Sequence, residues 1–460
     1  MISKNKSIGI RFKFVIGAIL TSLLLPAFAA SAAPSVSQGS SCKVMNKGDK
    51  KSGLICMPTK GNVKKLTMQK NVPNSDKDGV TKTSIKIGMM GDFTGPTASA
   101  QAYNMRGQTS FWEWVNATGG LLGRKVQFIA KDDKYGADAA TVNFDNLVNT
   151  DKVLTIAGMG GSHISAILDK KMTSFGKNGL VIVGAHQTTN IEIMSKNYFS
   201  NMEAYGDIAD VAIAKCLEEV NGKAANLKVA SYVLEVPSGA EFAAYMKKKT
   251  VEKGGTYVGG VTAPGSATDH TAAVAKLKSL ISSGGVNCIG LHGSPGFGKL
   301  FADAMSKAGV VDIPILGIHG IASPVIFESA PKGIAKQILG IHSFAGTGSA
   351  PGLVTIKKWM AGKQWEGDVG VSNFIHGWVD GMIVKAAVEK AWTTGKVTRA
   401  TFRKALKSKF DTQGLTCPID WTKIQYSPCA APLNWVASRG LEVDSSFTYW
   451  QKFLTKNYSL

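Results

Sequence analysis

From Ser84 onward the chain alternates short apolar runs rich in β-branched residues with longer stretches whose apolar residues recur at helical spacing. The first kind falls at 85–90, 125–130, 153–157 and 180–183, and the second at 102–117, 137–148 and 164–175. Strands and helices in this order predict a parallel sheet with right-handed crossovers and helices on both faces. A second series opens after Tyr205, with helices at 208–220, 240–253, 272–282 and 298–308 and strands at 228–234, 257–261, 286–291 and 313–316. Two series in tandem predict an α/β protein of two doubly wound parallel-sheet lobes. Helical patterns at 355–361, 374–392 and 399–406 bring no third series, and are expected to return to the first lobe. The expected division is 84–204 plus 343–430 for lobe 1 and 205–342 plus 431–460 for lobe 2, joined by three crossings.

The N-terminal 80 residues break this pattern. Lys4, Lys6, Arg11 and Lys13 precede an uncharged apolar run that ends in a small-residue tract, as in a secretory signal peptide spanning 1–32. Ala29 and Ala32 both offer a cleavage point. Residues 33–82 are rich in Lys, Ser, Gly and Asn and read as a basic linker carrying a small Cys-closed hairpin. The formal net charge of +21 is therefore partly a property of the leader and this tail. An exported chain with no basic recognition motif is not expected to bind nucleic acid, whereas contact with an anionic envelope surface follows from such charge. No later stretch reads as a membrane span, and a monomer is expected.

Six cysteines in an exported chain form an even set in an oxidising compartment. Cys42 with Cys56, and Cys417 with Cys429, lie close in sequence beside Gly or Pro and are expected to pair. Cys216 and Cys288 fall on a predicted helix and a predicted strand, where two buried thiols and a bridge are equally compatible with the sequence.

Catalysis needs a constellation, and the chain has no GxSxG elbow, HExxH helix or P-loop. The GMGGS segment lacks the spacing of a dinucleotide fingerprint. Neither an enzyme nor a cofactor is expected. His163, His186, His292 and His319 all fall at or just beyond predicted strand ends, where imidazoles are able to hold zinc or copper. They sit in four different loops without a repeated spacing, so lining a cleft is the expected role and metal capture the alternative. A sensory ligand-binding domain is a further alternative, because receptors use the same two-lobed plan.

Several blocks carry a family resemblance: IKIGMMGDFTGP at 85–96, NATGGLLGRKVQFIAKDD at 116–133, TIAGMGGSHISAILD at 155–169, GSATDHTAAVAKLKS at 265–279 and ILGIHG at 315–320. In order and spacing they resemble the type I periplasmic binding proteins of the branched-chain amino acid branch. The resemblance implies a substrate-binding protein that closes two lobes on a small solute and delivers it to the permease subunits of an ABC transporter. It also implies that Ser162, at the start of a helix, contacts a ligand carboxylate. The next matching loop holds His186, Gln187 and Thr188. Phe93 and Ser99, beside the first strand, belong to the same candidate ligand-contacting set, with His163.

The second lobe departs from the family. Ser238 stands where relatives carry a tyrosine, the aromatic positions after strand 286–291 become His292, Gly293 and Ser294, and His319 falls where a carboxylate pairs with the ligand ammonium. A buried ammonium without a partner costs several kcal/mol, on the order of the penalties for unpaired buried charges. Glu235 is the one nearby carboxylate that offers a substitute. The expected ligand is a small polar solute such as an organic acid or an amide, rather than leucine or valine.

Overall fold

The computed structural model describes residues 36–43, 48–49, 54–59, 62–70, 78–184, 196–335, 337–344, 350–423, 425–427, 430–436 and 440–443. The leader, His186, Gln187, Thr188 and Cys429 lie outside these residues.

Among the described residues the first elements are three strands, β1 (Gly48–Asp49), β2 (Leu54–Thr59) and β3 (Asn62–Lys70). Next come β4 (Ser84–Gly91), α1 (Ala98–Ala117), β5 (Lys125–Asp132), α2 (Ala137–Asp145), β6 (Thr155–Met159), α3 (Ser162–Ser174), β7 (Ile182–Val183) and β8 (Tyr198–Phe199). The second series is α4 (Tyr205–Glu219), β9 (Lys228–Leu234), α5 (Pro237–Glu252), β10 (Thr256–Ala263), α6 (Thr271–Gly284), β11 (Cys288–His292), α7 (Pro295–Lys307) and β12 (Ile315–Gly317). It ends with α8 (Pro324–Ser329), α9 (Lys332–Ala335) and β13 (Ile338–His342). The chain then continues through α10 (Pro351–Met360), α11 (Ser372–Trp392), α12 (Arg399–Leu406), β14 (Lys409–Phe410), β15 (Ile419–Asp420), β16 (Ala431–Val436) and β17 (Gly440–Val443).

Two sheets carry the architecture. The first has the order β5-β4-β6-β7-β8 and is parallel throughout. The second has the order β10-β9-β11-β12-β13-β16-β17, parallel as far as β13 and antiparallel for the last two strands. Strands covered on both faces can be apolar along their whole length, and β6 and β11 are buried at every position. The two doubly wound α/β lobes expected from the sequence are therefore present.

The longest helix among the described residues, α11, is buried on nearly all sides, including its stripe of Asn373, His376 and Asp380. It crosses α1 so closely that glycine is required at the contact. A Cβ on Gly107 would lie 2.0 Å from the carbonyl oxygen of Phe374, and one on Gly377 would lie 2.0 Å from that of Asn104.

The small Cys-closed hairpin expected within 33–82 is present, and it packs on the first lobe. The described part of this segment is a three-stranded antiparallel sheet closed by the Cys42–Cys56 disulfide. Alternation along β2 splits its side chains between two faces. Leu54 and Cys56 join Met68 in a small core of the module, while Met57 is fully buried in the core of the first lobe and Ile55 packs against it. Ile55 rests on Gly123, where a Cβ would come within 2.2 Å of its Cδ1.

Cys216 on α4 and Cys288 on β11, left open by the sequence, are joined. Cys417 is disulfide-bonded.

Three chain segments connect the lobes and are laced together by polar contacts. Glu203, fully buried, accepts from Nδ1 of His342 at 2.9 Å and from the Ser343 hydroxyl at 2.6 Å. Trp421 donates its indole N–H to the Ser200 carbonyl at 3.1 Å, and the Ser200 amide donates to the carbonyl of Gln425 at 2.7 Å.

Candidate functional site

In open parallel sheets the space beyond the carboxyl ends of the strands is where ligands bind. Here that space lies between the two sheets and holds a partly open cavity of about 80 Å³, a tight space with the lobes as close as they stand here. The first-lobe wall includes Met89, Gln101, Asn104, Tyr135, Met159 and Gly161, with Asn373 and His376 contributed by α11. The opposite wall carries Tyr205, Leu234, Ser238, His292, Ser294 and His319. Among the described residues no Asp, Glu, Lys or Arg lines it.

The helix starts explain how several of these residues arrive. The prolines at 237 and 295 occupy first-turn positions, so α5 and α7 begin three residues earlier than expected from apolar spacing. Ser238 thereby sits in the first turn of α5. Ser294 caps α7, its hydroxyl accepting from the Phe297 amide at 3.4 Å. With α3, which starts at Ser162, three helices present amino-terminal ends to the cleft, where unpaired amides and the macrodipole favour acceptors and anions.

The glycines of GMGGS have a packing reason. A Cβ on Gly160 would fall 1.8 Å from Oε1 of Gln101, and one on Gly161 (φ 95°) would meet the Tyr135 ring at 3.1 Å. They admit two cavity side chains to the mouth of the helix. Tyr135 itself follows Lys134 in a left-handed conformation (φ 63° and 51°). Its amide donates to Oδ1 of Asp133 at 2.9 Å, and its ring stands edge-on to His163 with centroids 4.4 Å apart.

Of the residues selected from the sequence, Ser238, His292, Ser294 and His319 line the cavity. Ser162 and His163 lie just outside it. The Ser162 hydroxyl is buried without a hydrogen-bond partner among the described residues, and Nε2 of His163 is 3.2 Å from the Tyr135 carbonyl oxygen. Ser99 accepts from the Gly296 amide at 3.3 Å and so bridges the lobes. Phe93 is half-buried, its amide bound to Oδ1 of Asp132, and does not reach the cavity. Glu235 is exposed and away from the lining, so it does not substitute for the missing carboxylate.

Sequence reasoning missed Gln101, Asn104, Tyr135, Tyr205, Asn373 and His376. For Gln101, Asn104, Asn373 and His376 the signal was a polar stripe on helices otherwise destined for burial: 101, 104 and 108 on α1, and 373, 376 and 380 on α11. Behind the cavity these stripes meet. Asp380, fully buried, accepts from Asn201 at 2.6 Å, Asn104 at 3.3 Å and Gln108 at 3.4 Å, while His376 lies 3.1 Å from Oδ1 of Asn201.

Burial holds His292, His319 and His342 neutral. Burial pushes His292 down to about 3, and burial together with His342, His292 and His376 holds His319 well below the ordinary histidine range. Burial also lowers His342, against the opposing pull of Glu203. A neutral imidazole offers one donor and one acceptor. Both ring nitrogens of His292 and the Asn373 amide nitrogen have no hydrogen-bond partner among the described residues, although the two residues are only 3% and 4% exposed. Among the described residues no group of three or more His, Cys, Asp or Glu is placed to hold a metal ion.

A cleft of this kind between two α/β lobes defines a bilobed solute-binding protein. The chain belongs to the periplasmic binding protein family, whose model matches residues 84–429. No curated protein matched the sequence. Among solved structures, the chain is similar to the fatty acid ABC transporter substrate-binding protein from Thermomonospora curvata, at 20% identity over 80% of this chain and 92% of that one, with a TM-score of 0.67. It is similar also to a branched-chain amino acid ABC transporter structure from Thermus thermophilus with bound valine (18%, 82% and 99%, 0.67). A third is the ABC transporter solute-binding protein from R. palustris in complex with benzoate (19%, 78% and 91%, 0.61). At such identities the likeness concerns the fold.

Proposed function

We propose that this protein is the exported substrate-binding component of an ABC importer, closing its lobes on a small polar solute that lacks an ammonium group. The observation that carries the reading is the inter-lobe cavity, rich in hydrogen-bonding side chains and devoid of charged ones among the described residues. Binding without catalysis fits the family and the absence of an activated nucleophile from the described cavity wall. Ser238, His292, Ser294 and His319, with Gln101, Asn373 and His376, are the proposed contacts. The proposed lobes are 84–204 with 343–430, and 205–342 with 431–460.

Ligand contacts made from both lobes favour the closed arrangement over the open one. The lobes already touch in this structure: the Ser294 hydroxyl donates to the Pro96 carbonyl at 3.4 Å, and Tyr135 shares a hydrogen bond with Ser238. Of the similar proteins, one is a fatty acid ABC transporter substrate-binding protein, one holds bound valine and one is in complex with benzoate, and neither fatty acid nor benzoate has an ammonium group. A thermal-shift screen of amino acids, organic acids and amides tests the proposal. Organic acids or amides are expected to raise the melting temperature and leucine and valine to leave it unchanged; stabilisation by leucine alone refutes it.

A further inference from the structure

The cleft has two compartments of different character. The inner one is the cavity described above, with polar groups concentrated on its floor: His292, His319, Asn373 and His376. The outer one is a pair of adjoining hollows that share Tyr135, Leu234 and Ser294 with the inner cavity. The first hollow is mainly apolar, lined by Pro96, Val236, Gly265 and Ser266, while the second is mixed, with Ser99 and Ser294 beside Phe297 and Leu300. Tyr135 and Leu234 form the waist between the two.

The floor is built to hold an acceptor. The Asn373 amide nitrogen and both His292 ring nitrogens are buried without partners among the described residues, so their hydrogen-bonding capacity remains for a bound group. The amino-terminal ends of α3, α5 and α7 reach the same space through Gly161, Ser238 and Ser294. Their amides and dipoles favour negative charge. No carboxylate among the described residues lines the cavity, so a cationic group would find no counter-charge there.

We propose that the ligand is an amphiphilic monocarboxylate. Its carboxylate sits on the floor against Asn373 and His292, and its apolar chain passes the waist at Tyr135 and Leu234 into the outer hollows. This rests on the proposed function and goes further by assigning the ligand's charge, its single head and its tail. The waist residues are then specificity-determining, because they set which tails pass.

The test is a titration of the purified full chain, by calorimetry, with straight-chain monocarboxylates from acetate to decanoate, the matching primary amides, and leucine. Each buried methylene contributes about 0.8 kcal/mol, or roughly a fourfold gain in affinity. Affinity is expected to rise by about that factor per carbon from butanoate until the outer hollows are filled, with each amide at least tenfold weaker than its acid. Val236→Ser, at a half-buried position outside the inner cavity, is expected to flatten the length dependence of the longer acids while acetate and butanoate bind as before. Short acids binding with no gain from added carbons would overturn the tail assignment and leave the proposed function standing. Amides binding as well as acids would overturn the anionic head. Leucine binding with no response to any acid or amide would overturn this inference and the proposed function together.

Discussion

Asp133 supplies a sharp test of how the loop below the cavity is held. Its carboxylate is fully buried directly after β5; Oδ1 accepts from the Tyr135 amide, and Oδ2 has no partner among the described residues. Burial, with smaller contributions from Asp92 and Asp132, pushes its pKa from 3.8 up to about 7. A carboxyl whose folded pKa is raised favours folding most when protonated in both states, below about pH 4, and that contribution is lost as the pH rises through 7. A shift of about three units at 1.36 kcal/mol each sets an upper limit of about 4 kcal/mol on the loss by pH 8. Asparagine keeps the Oδ1 acceptor and cannot ionise. Asp133→Asn is therefore expected to gain about 2–4 kcal/mol on wild type between pH 4.5 and pH 8, measured by urea denaturation of both proteins across that range. Comparing the two proteins cancels every group that titrates alike in both. A difference that stays flat to within about 0.5 kcal/mol, near the error of the method, would show that the carboxylate is solvated, and the account of Asp133 would be wrong.

Four further outcomes follow from particular contacts. Gly377→Ala sets a methyl 2.0 Å from the Asn104 carbonyl oxygen and is expected to cost more than about 3 kcal/mol by forcing α1 and α11 apart, whereas Gly367→Ala, with nothing within 4 Å, is expected to lie within about 0.5 kcal/mol of wild type; chemical denaturation compares them. Glu203→Ala leaves the donors of His342 and Ser343 buried without their acceptor and is expected to cost about 2–5 kcal/mol in the same assay. Peptide mapping without reduction should recover the Cys42–Cys56 and Cys216–Cys288 pairs, and should show Cys417 bonded to Cys429. Small-angle scattering should show compaction on adding any ligand that binds, and an unchanged radius of gyration would count against closure.

The alternation of strands and helices made the two lobes legible, because period-two and period-3.6 patterns are local properties of the chain. The same patterning failed where composition hid it. In β2, Ile55 and Met57 face the first lobe and Leu54 and Cys56 face their own small core, but in lysine-rich surroundings only the Cys-closed hairpin was legible and its packing on the lobe was not. Of the cavity-lining residues, His292 and His319 were legible from their place at predicted strand ends, and Ser238 and Ser294 from the family resemblance. Asn373 and His376 were not, because α11 returns from far along the chain and only tertiary packing brings it over the first sheet. Tyr135 was hidden for another reason: a non-glycine residue in the left-handed region has no sequence signature, and its position is fixed by Asp133 and by the absence of a side chain at Gly161.

Cavity and hinge share a wall, and this bears on how binding is transmitted. His319 lines the cavity, and its ring centroid is 5.4 Å from that of His342, whose Nδ1 is bound to Glu203 between two of the crossing segments. His376 lines the cavity from the other lobe, with its ring stacked on Phe344 at 4.5 Å, next to Ser343. A ligand touching His319 and His376 therefore presses on side chains packed directly against the residues about which the lobes must rotate. Packed interiors shift between discrete arrangements rather than deforming smoothly. Contacts at the floor would then select one hinge arrangement, while Ser99, Ser238 and Ser294 secure the rim once the lobes have met. On this account Glu203→Ala should reduce the compaction seen on ligand addition even where the folded protein persists, since the dyad that joins the two crossing strands is gone. A variant that compacts as fully as wild type would place the hinge's restoring contacts elsewhere, in the Trp421 and Gln425 bonds of the third crossing.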